Sequence, residues 1–128
     1  MAQDNMDEKN RLTIAFDVDD TLIVPAIATG LEVDTPNYSI IELYHWFQSQ
    51  GHYMIIWSGG GKDYAETWAR KLGLTSDEIL TKTTELKDKI DIAFDDSDIK
   101  LAKVNVKIKR FNNKIIRYPD KIKHEKSS

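Results

Sequence analysis

Two pairs of acidic residues stand directly after apolar stretches of the sequence. Asp17 and Asp19 follow one such stretch, and Asp95 and Asp96 follow another. In an extended segment, residues two positions apart face the same way, so Asp17 and Asp19 are expected to point together. Clustered carboxylates repel one another unless a cation neutralises them, and oxygen ligands without Cys or His suit Mg²⁺. The two pairs therefore predict a magnesium site, although a single Asp in such a place is commonly a cap or turn residue.

A second feature is Ser58, which is followed by Gly59, Gly60 and Gly61. Glycines allow the backbone to approach a ligand closely and to turn its N–H groups toward an anion. A predicted helix begins directly afterwards, and a helix N-terminus favours a phosphate. Ser58 and Gly59 are therefore candidate phosphate-binding residues, and a flexible turn is the alternative.

The elements that must position these residues alternate along the chain. Apolar runs predict strands, and apolar residues at helical spacing predict helices, the first of them capped by Thr35 with Pro36 in its first turn. The predicted strands are residues 11–16, 52–57, 78–81, 90–94, 101–108 and 115–118, and the predicted helices lie between residue 35 and Gly51 and over residues 63–72. This pattern predicts an α/β protein, a Rossmann-like three-layer α/β/α arrangement around a mostly parallel sheet of about five strands.

In a parallel sheet, ligands bind beyond the carboxyl ends of the strands. Asp17, Ser58 and Asp95 each lie just past the end of a predicted buried strand. Three separate strands are therefore expected to bring polar groups to one rim of the sheet.

The sequence resembles the haloacid dehalogenase (HAD) superfamily over about residues 11–110. Residues 16–22, Phe-Asp-Val-Asp-Asp-Thr-Leu, match its first motif, Asp-x-Asp-x-Thr after an apolar strand. Residues 55–58, Ile-Ile-Trp-Ser, resemble the second motif, and residues 92–96, Ile-Ala-Phe-Asp-Asp, resemble the fourth. The resemblance implies a magnesium-dependent phosphatase.

It also implies a role for each residue of the predicted rim. Asp17 would attack phosphorus and form an aspartyl-phosphate, and Asp19 would act as general acid and then general base. Mg²⁺ would bind the Asp17 carboxylate, the Asp19 backbone carbonyl and Asp96, with Asp95 as a water-mediated partner. Ser58 and the Gly59 N–H would hold the phosphoryl oxygens.

The third motif of the superfamily is a lysine that offsets negative charge at the nucleophile. Lys87, eight residues before Asp95, is the preferred candidate, Lys82 at the end of the third predicted strand is the second, and Lys89 is the third. One departure from the superfamily pattern is Asp20, which stands where glycine is common in a tight turn.

The intervals after the first and third motifs are too short for the cap domains of the superfamily, so the protein is expected to lack a cap. An open site suits large phosphorylated substrates, such as a nucleic-acid end or a phosphoprotein. The Asp-Val-Asp-x-Thr-Leu segment, the helix with Tyr64 and Trp68, and the Asp-Asp pair are most similar to the phosphatase domain of bacteriophage polynucleotide kinase. That similarity implies removal of a terminal phosphate from nucleic acid.

Two other classes of function remain open at this point. One is a non-catalytic module that binds metal or phosphate on the same fold. The other is a receiver-type signalling domain, whose phosphorylated Asp would end a middle strand, where this sequence has Ser58.

The composition limits the other possibilities. A chain of 128 residues suits one domain, expected over residues 11–118 between a disordered tail at 1–10 and a basic, frayed tail at 119–128. There is no cysteine, which excludes thiol chemistry, and no apolar run approaches the roughly 18 residues of a membrane span. Residues 1–10 do not resemble a secretory signal, so a cytoplasmic protein is expected.

The net charge of −3 is unevenly distributed. Residues 1–102 hold nine Lys/Arg and 19 Asp/Glu, a balance of −10, whereas residues 103–128 hold nine and two, a balance of +7. The basic end is expected either to be a solvated terminus or to meet phosphate or nucleic acid.

Overall fold

The computed structural model describes residues 10–26 and 33–110. Within them the chain forms seven strands and two helices that alternate in the order expected of an α/β protein. In chain order these are β1 (Thr13–Asp17), β2 (Ile23–Val24), β3 (Thr35–Pro36), α1 (Tyr38–Ser49), β4 (Tyr53–Ser58), α2 (Lys62–Leu72), β5 (Glu78–Thr81), β6 (Ile92–Asp95) and β7 (Val104–Lys107).

The main sheet has five strands in the order β5-β4-β1-β6-β7, and every neighbouring pair is parallel. The central strand β1 lies between β4 and β6, with Phe16 opposite both Ile56 and Phe94. Because β1 and β4 are covered on both faces, they read in the sequence as continuous apolar runs. The predicted α/β class with a mostly parallel sheet of about five strands is confirmed.

The two faces of the sheet are covered differently. One face carries Phe16, Met54 and Ile56, which pack in one cluster with buried residues of both helices, including Tyr44 of α1 and Ala65 of α2. The opposite face carries Ala15, Ile55, Trp57 and Ala93, which pack with Ile90, Leu101 and Ala102 from the segments that flank β6. In the described part of the chain, the third layer therefore consists of turns and irregular segments.

One predicted helix boundary is wrong. Thr35 and Pro36 form strand β3, which pairs with β2 in an antiparallel two-stranded sheet, and α1 begins only at Tyr38 with Asn37 as its N-cap. Proline restricts the preceding residue to extended conformations, which fits Thr35 in a strand as well as before a helix. Residues 27–32, between β2 and β3, lie outside the described part of the chain.

The predicted strand at 115–118 and both predicted tails, apart from Asn10, lie outside the described residues. In the described ranges, neither helix has the length and apolar character that crossing a membrane requires.

Candidate functional site

The site lies where the topology of the sheet reverses. The chain leaves β1 toward β4 on one side, whereas it leaves β6 toward β7 on the other. Such a switch point opens a crevice beyond the carboxyl ends of the two neighbouring strands. Asp17 is the last residue of β1, and Asp95 is the last residue of β6. The crevice therefore begins between two carboxylates.

Three carboxylates approach one another at this crevice. Asp17, Asp95 and Asp96 each offer an oxygen, and these oxygens all lie within 4.8 Å of one another. Asp17 and Asp95 are buried, with 3% of each residue exposed. An all-oxygen set of this kind suits a hard cation such as Mg²⁺, because carboxylates in low dielectric need a positive charge nearby.

Lys82 supplies one positive charge to this group. It follows the last residue of β5, and its ammonium nitrogen lies 3.1 Å from Asp17 Oδ1 and 2.8 Å from Asp95 Oδ2. Its backbone N–H donates to the Ser58 carbonyl at 2.9 Å, which fixes the start of the side chain beside β4. The lysine stem therefore extends from one side of the sheet, past β4, to the ends of β1 and β6.

The pKa values of the two carboxylates that contact Lys82 are shifted in opposite directions. Burial and the charge of Asp95 raise the pKa of Asp17 to about 7, against the opposing effect of Lys82. Burial also disfavours ionised Asp95, but hydrogen bonds from Lys82 and the Ser97 backbone lower the pKa of Asp95 overall. Burial likewise opposes the charge on Lys82, and its two carboxylate partners nevertheless raise the pKa of Lys82. These shifts favour the ionised Asp95–Lys82 pair and oppose ionisation of Asp17.

Of the three candidate lysines, Lys82 is the one that contacts the carboxylates of the rim. Lys87, preferred from the sequence, is exposed in the turn that follows β5, and its backbone N–H donates to the Thr84 carbonyl. Lys89 is also exposed in that turn. Spacing along the chain favoured Lys87, whereas the direct contact with Asp17 belongs to Lys82.

The Ser58 loop lies beside the same rim. Ser58 is buried at the end of β4, and its Oγ accepts a hydrogen bond from the Gly60 N–H at 3.0 Å. A Cβ built on Gly59 would lie 3.8 Å from the Lys82 side chain, so the predicted phosphate-binding loop is next to the lysine. Gly61 has a φ of 115°, a conformation that favours glycine, and directly precedes α2.

Asp19 lies at the turn after β1 and has a partner that the sequence analysis did not identify. The Tyr64 hydroxyl, in the first turn of α2, donates to Asp19 Oδ1 at 2.7 Å. Burial raises the pKa of Asp19, and the hydrogen bond from Tyr64 partly opposes this change. In the sequence, Tyr64 is named in the resemblance, and its position in the first turn of the helix after the three glycines is the signal that it could reach the rim.

Asp20, which stands where glycine is common in the superfamily motif, adopts the backbone conformation of the turn after Asp19 at a small cost in strain. Asp20 has a φ of 64°, in the left-handed region that Asp tolerates better than most residues. Thr21 follows it, is fully buried, and directs its hydroxyl toward Asp17 Oδ2 at 3.5 Å. The Thr of the first motif therefore lies against the proposed metal-binding carboxylate.

Asp96 has a cationic partner of its own. The Arg110 Nε donates to Asp96 Oδ2 at 2.8 Å. This contact links the acidic group to the segment after β7 and was not expected from the sequence, because 14 residues separate the two partners.

No protein-family model, curated protein or solved structure matches this chain.

Proposed function

We propose that the protein is a magnesium-dependent phosphomonoester hydrolase of the HAD type in which Asp17 is the nucleophile. The observation that carries this proposal is the approach of the Asp17, Asp95 and Asp96 carboxylates to within 4.8 Å, with Lys82 between two of them. Ordinary caps and turn residues would not place three carboxylates and an ammonium group at the switch point of a parallel sheet. This density of charge fits a site that handles a cation and an anion together.

Asp17, Asp95 and Asp96 would hold the magnesium ion, and the Asp19 backbone carbonyl is a further candidate ligand. The donor set fits because it consists of oxygens alone. When bound, the cation supplies positive charge that favours ionised Asp17 and offsets charge on a phosphoryl group.

The reaction proceeds in two displacements. A carboxylate oxygen of Asp17 attacks phosphorus, the ester P–O bond breaks, and Asp19 gives its proton to the departing oxygen. Asp19, now ionised, removes a proton from a water molecule that attacks the same phosphorus. The bond between phosphorus and the Asp17 oxygen then breaks, which releases inorganic phosphate and restores both carboxyl groups.

The surrounding residues are placed to assist these steps. The raised pKa of Asp19 favours the protonated form that a general acid needs, and the Tyr64 hydroxyl holds one of its oxygens in position. Lys82 and Ser58 lie where they can donate to phosphoryl oxygens. The preferred substrate is a phosphate on a large molecule, such as a nucleic-acid end or a phosphoprotein, because the intervals after the first and third motifs are too short for a cap domain that would exclude one.

Hydrolysis of para-nitrophenyl phosphate with Mg²⁺ tests the proposal directly. We expect turnover by the wild type and its loss in Asp17→Asn. Asp19→Asn should accumulate an acid-stable, hydroxylamine-sensitive phosphoenzyme, because this substrate leaves without a proton whereas the second step still needs a base.

Phosphate and metal binding without turnover of any phosphomonoester would contradict the proposal and favour a non-catalytic binding module. A long-lived phosphoenzyme in the wild type after treatment with acetyl phosphate would instead favour a receiver-type domain.

A further inference from the structure

A cleft next to the acidic rim is lined by cations that the proposed reaction does not use. Its volume is about 600 Å³, and its lining residues are Asp96, Ser97, Asp98, Lys107, Ile108, Lys109 and Arg110. The cleft begins at Asp96, which also belongs to the group of three carboxylates at the rim. A molecule that reaches the rim can therefore extend into the cleft.

Strand pairing fixes the position of the cationic side of the cleft. Lys107, the last residue of β7, is opposite Asp95, the last residue of β6. The Ile108 N–H donates to the Asp95 carbonyl at 2.7 Å, so the pairing extends one residue beyond the strand. These contacts hold residues 107–110 beside the end of β6. Strand β6 pairs with β1, which ends at the proposed nucleophile Asp17.

The charges of the cleft differ in sign from those of the rim. Three cationic and two acidic residues line the cleft, a balance of +1. At the rim, three carboxylates and Lys82 give −2 when all four groups are ionised. Among the described residues, no carboxylate pairs with Lys109, which is exposed.

The other two cations each pair with a carboxylate. Lys107 contacts Asp98 at 2.9 Å, and the two side chains are 58% and 84% exposed. Arg110 contacts Asp96, and the side chains of the two residues are 47% and 10% exposed. The Lys107–Asp98 pair is open to solvent and contributes little, so Lys107 can turn toward a ligand at small cost.

We propose that this cleft is a subsite for a second phosphate group of the substrate, with Lys109 as its main contact and Lys107 and Arg110 beside it. The inference rests on the proposed phosphatase function, which it makes more specific. The preferred substrates carry a phosphodiester or a second phosphomonoester next to the phosphate that is removed. Lys109 is then a specificity-determining residue with no part in the chemical step.

Kinetics with matched substrates test this subsite. The substrates are para-nitrophenyl phosphate, a nucleoside 3′-monophosphate, the corresponding 3′,5′-bisphosphate, a short 3′-phosphorylated oligonucleotide and a sugar bisphosphate. We expect Lys109→Ala to lower kcat/KM about tenfold for substrates with a second phosphate, the loss of one charge-assisted contact, and to leave para-nitrophenyl phosphate within about twofold. Lys103→Ala is the matched control, because Lys103 precedes the opposite end of β7 and is 58% exposed.

The same substrates distinguish the sources of the second phosphate. A Lys109 effect with both nucleotide and sugar bisphosphates supports a site that recognises phosphate alone. An effect confined to the oligonucleotide supports a phosphodiester site. Equal losses on all substrates, or equal losses in Lys103→Ala, would overturn the proposal.

A binding measurement separates this inference from the proposed reaction. Calorimetry with the 3′,5′-bisphosphate and Asp17→Asn protein should give weaker binding when Lys109 is also replaced, and a salt dependence of affinity that is shallower by about one charge. If turnover is absent but this difference is found, the phosphatase proposal fails and the anion subsite stands. If Asp17-dependent turnover is found without this difference, the phosphatase stands and the subsite fails.

Discussion

Lys82 contacts two buried carboxylates, and its role can be separated from that of an ordinary surface lysine. Lys82→Met keeps most of the side-chain length and removes the charge, which leaves Asp17 and Asp95 to repel each other. We expect turnover to fall at least about 100-fold, the size of effect seen when a donor to a transition-state oxyanion is lost. Steady-state kinetics at saturating Mg²⁺ measure the effect.

Lys87→Met is the matched control, since Lys87 is exposed in the turn after β5. Its turnover should stay within about twofold of wild type, as surface substitutions away from a site usually have small effects. Loss of activity in Lys87→Met, with Lys82→Met active, would restore the order expected from the sequence.

The pKa of Asp17 also has a consequence for stability. The native pKa is about 7, against an ordinary value of 3.8, so the native state keeps a proton that the unfolded chain releases over this range. The contribution of Asp17 to stability is therefore fully present below pH 3.8 and is lost as the pH rises through about 7. Asp17→Asn should increase the free energy of unfolding of metal-free protein by about 1–3 kcal/mol at pH 8, with a smaller gain at pH 5.

Urea unfolding in the presence of EDTA at the two pH values measures this change. Asp98→Asn removes a carboxylate whose side chain is 84% exposed, and it should change the free energy of unfolding by less than about 0.5 kcal/mol. An Asp17→Asn protein that is no more stable than wild type at pH 8 would contradict a raised pKa.

At the residue scale, the sequence predicted the carboxylates better than their partners. Asp17 and Asp95 were predictable because each follows an apolar strand and must end at the rim. Lys82 and Tyr64 reach the site with long side chains from neighbouring elements, and spacing along the chain carries little information about that reach. Arg110 depends on a pairing between β6 and β7 that only the folded sheet defines.

At the scale of elements, the stability of the loop between β4 and α2 depends more on Gly61 than on its other glycines. Gly61 has a φ of 115°, and a Cβ built on it meets nothing within 4 Å, so an alanine there would cost backbone strain alone. We expect Gly61→Ala to lower the free energy of unfolding by about 1–2 kcal/mol. Thermal and urea unfolding check this value.

Gly59→Ala is the matched control in the same loop. Its Cβ would lie at ordinary contact distance, 3.8 Å, from the Lys82 side chain, and its φ is not in the left-handed region. Its free energy of unfolding should stay within about 0.5 kcal/mol of wild type. Equal losses in the two variants would show that contacts, and not the backbone conformation of Gly61, determine the stability of the loop.

The predicted bounds of helices and strands match the structure where the residue pattern and the packing indicate the same element. Strand β5 has the predicted bounds Glu78–Thr81, and α2 ends before Gly73, which has a φ of 69°. The start of α1 was wrong because Thr35-Pro36 satisfies the rules for a helix start and for a short strand equally well. Pairing with Ile23 and Val24, which is not local in sequence, decides between them.

For the whole molecule, the three carboxylates of the rim are a destabilising concentration of charge that a cation should relieve. A ligand that binds only the native state stabilises it by about 2.7 kcal/mol at one hundred times its Kd. For a chain of 128 residues this corresponds to a rise in Tm of about 10 °C. Differential scanning calorimetry with and without Mg²⁺ measures the shift.

Asp95→Asn should lose most of this shift, whereas Asp98→Asn, whose carboxylate lies outside the group of three, should keep it. A shift that is unchanged in Asp95→Asn would place the cation elsewhere.

The parallel topology of the sheet was predictable from the alternation of strands and helices along the sequence. The composition of the third layer was not, because the apolar residues that cover that face lie in short turns without periodicity.

The turns and irregular segments that form the third layer should separate from the sheet more readily than the helices on the other face. Residues 84–90 are held by turn hydrogen bonds such as Ile90 N–H to the Leu86 carbonyl, and not by the ladder of a long helix. Local opening on this side therefore disrupts fewer cooperative contacts than separation of either helix, and amide protons there should exchange with solvent sooner. Lys82 lies two residues before this segment, so a ligand that binds its ammonium group should also slow amide exchange in residues 84–90.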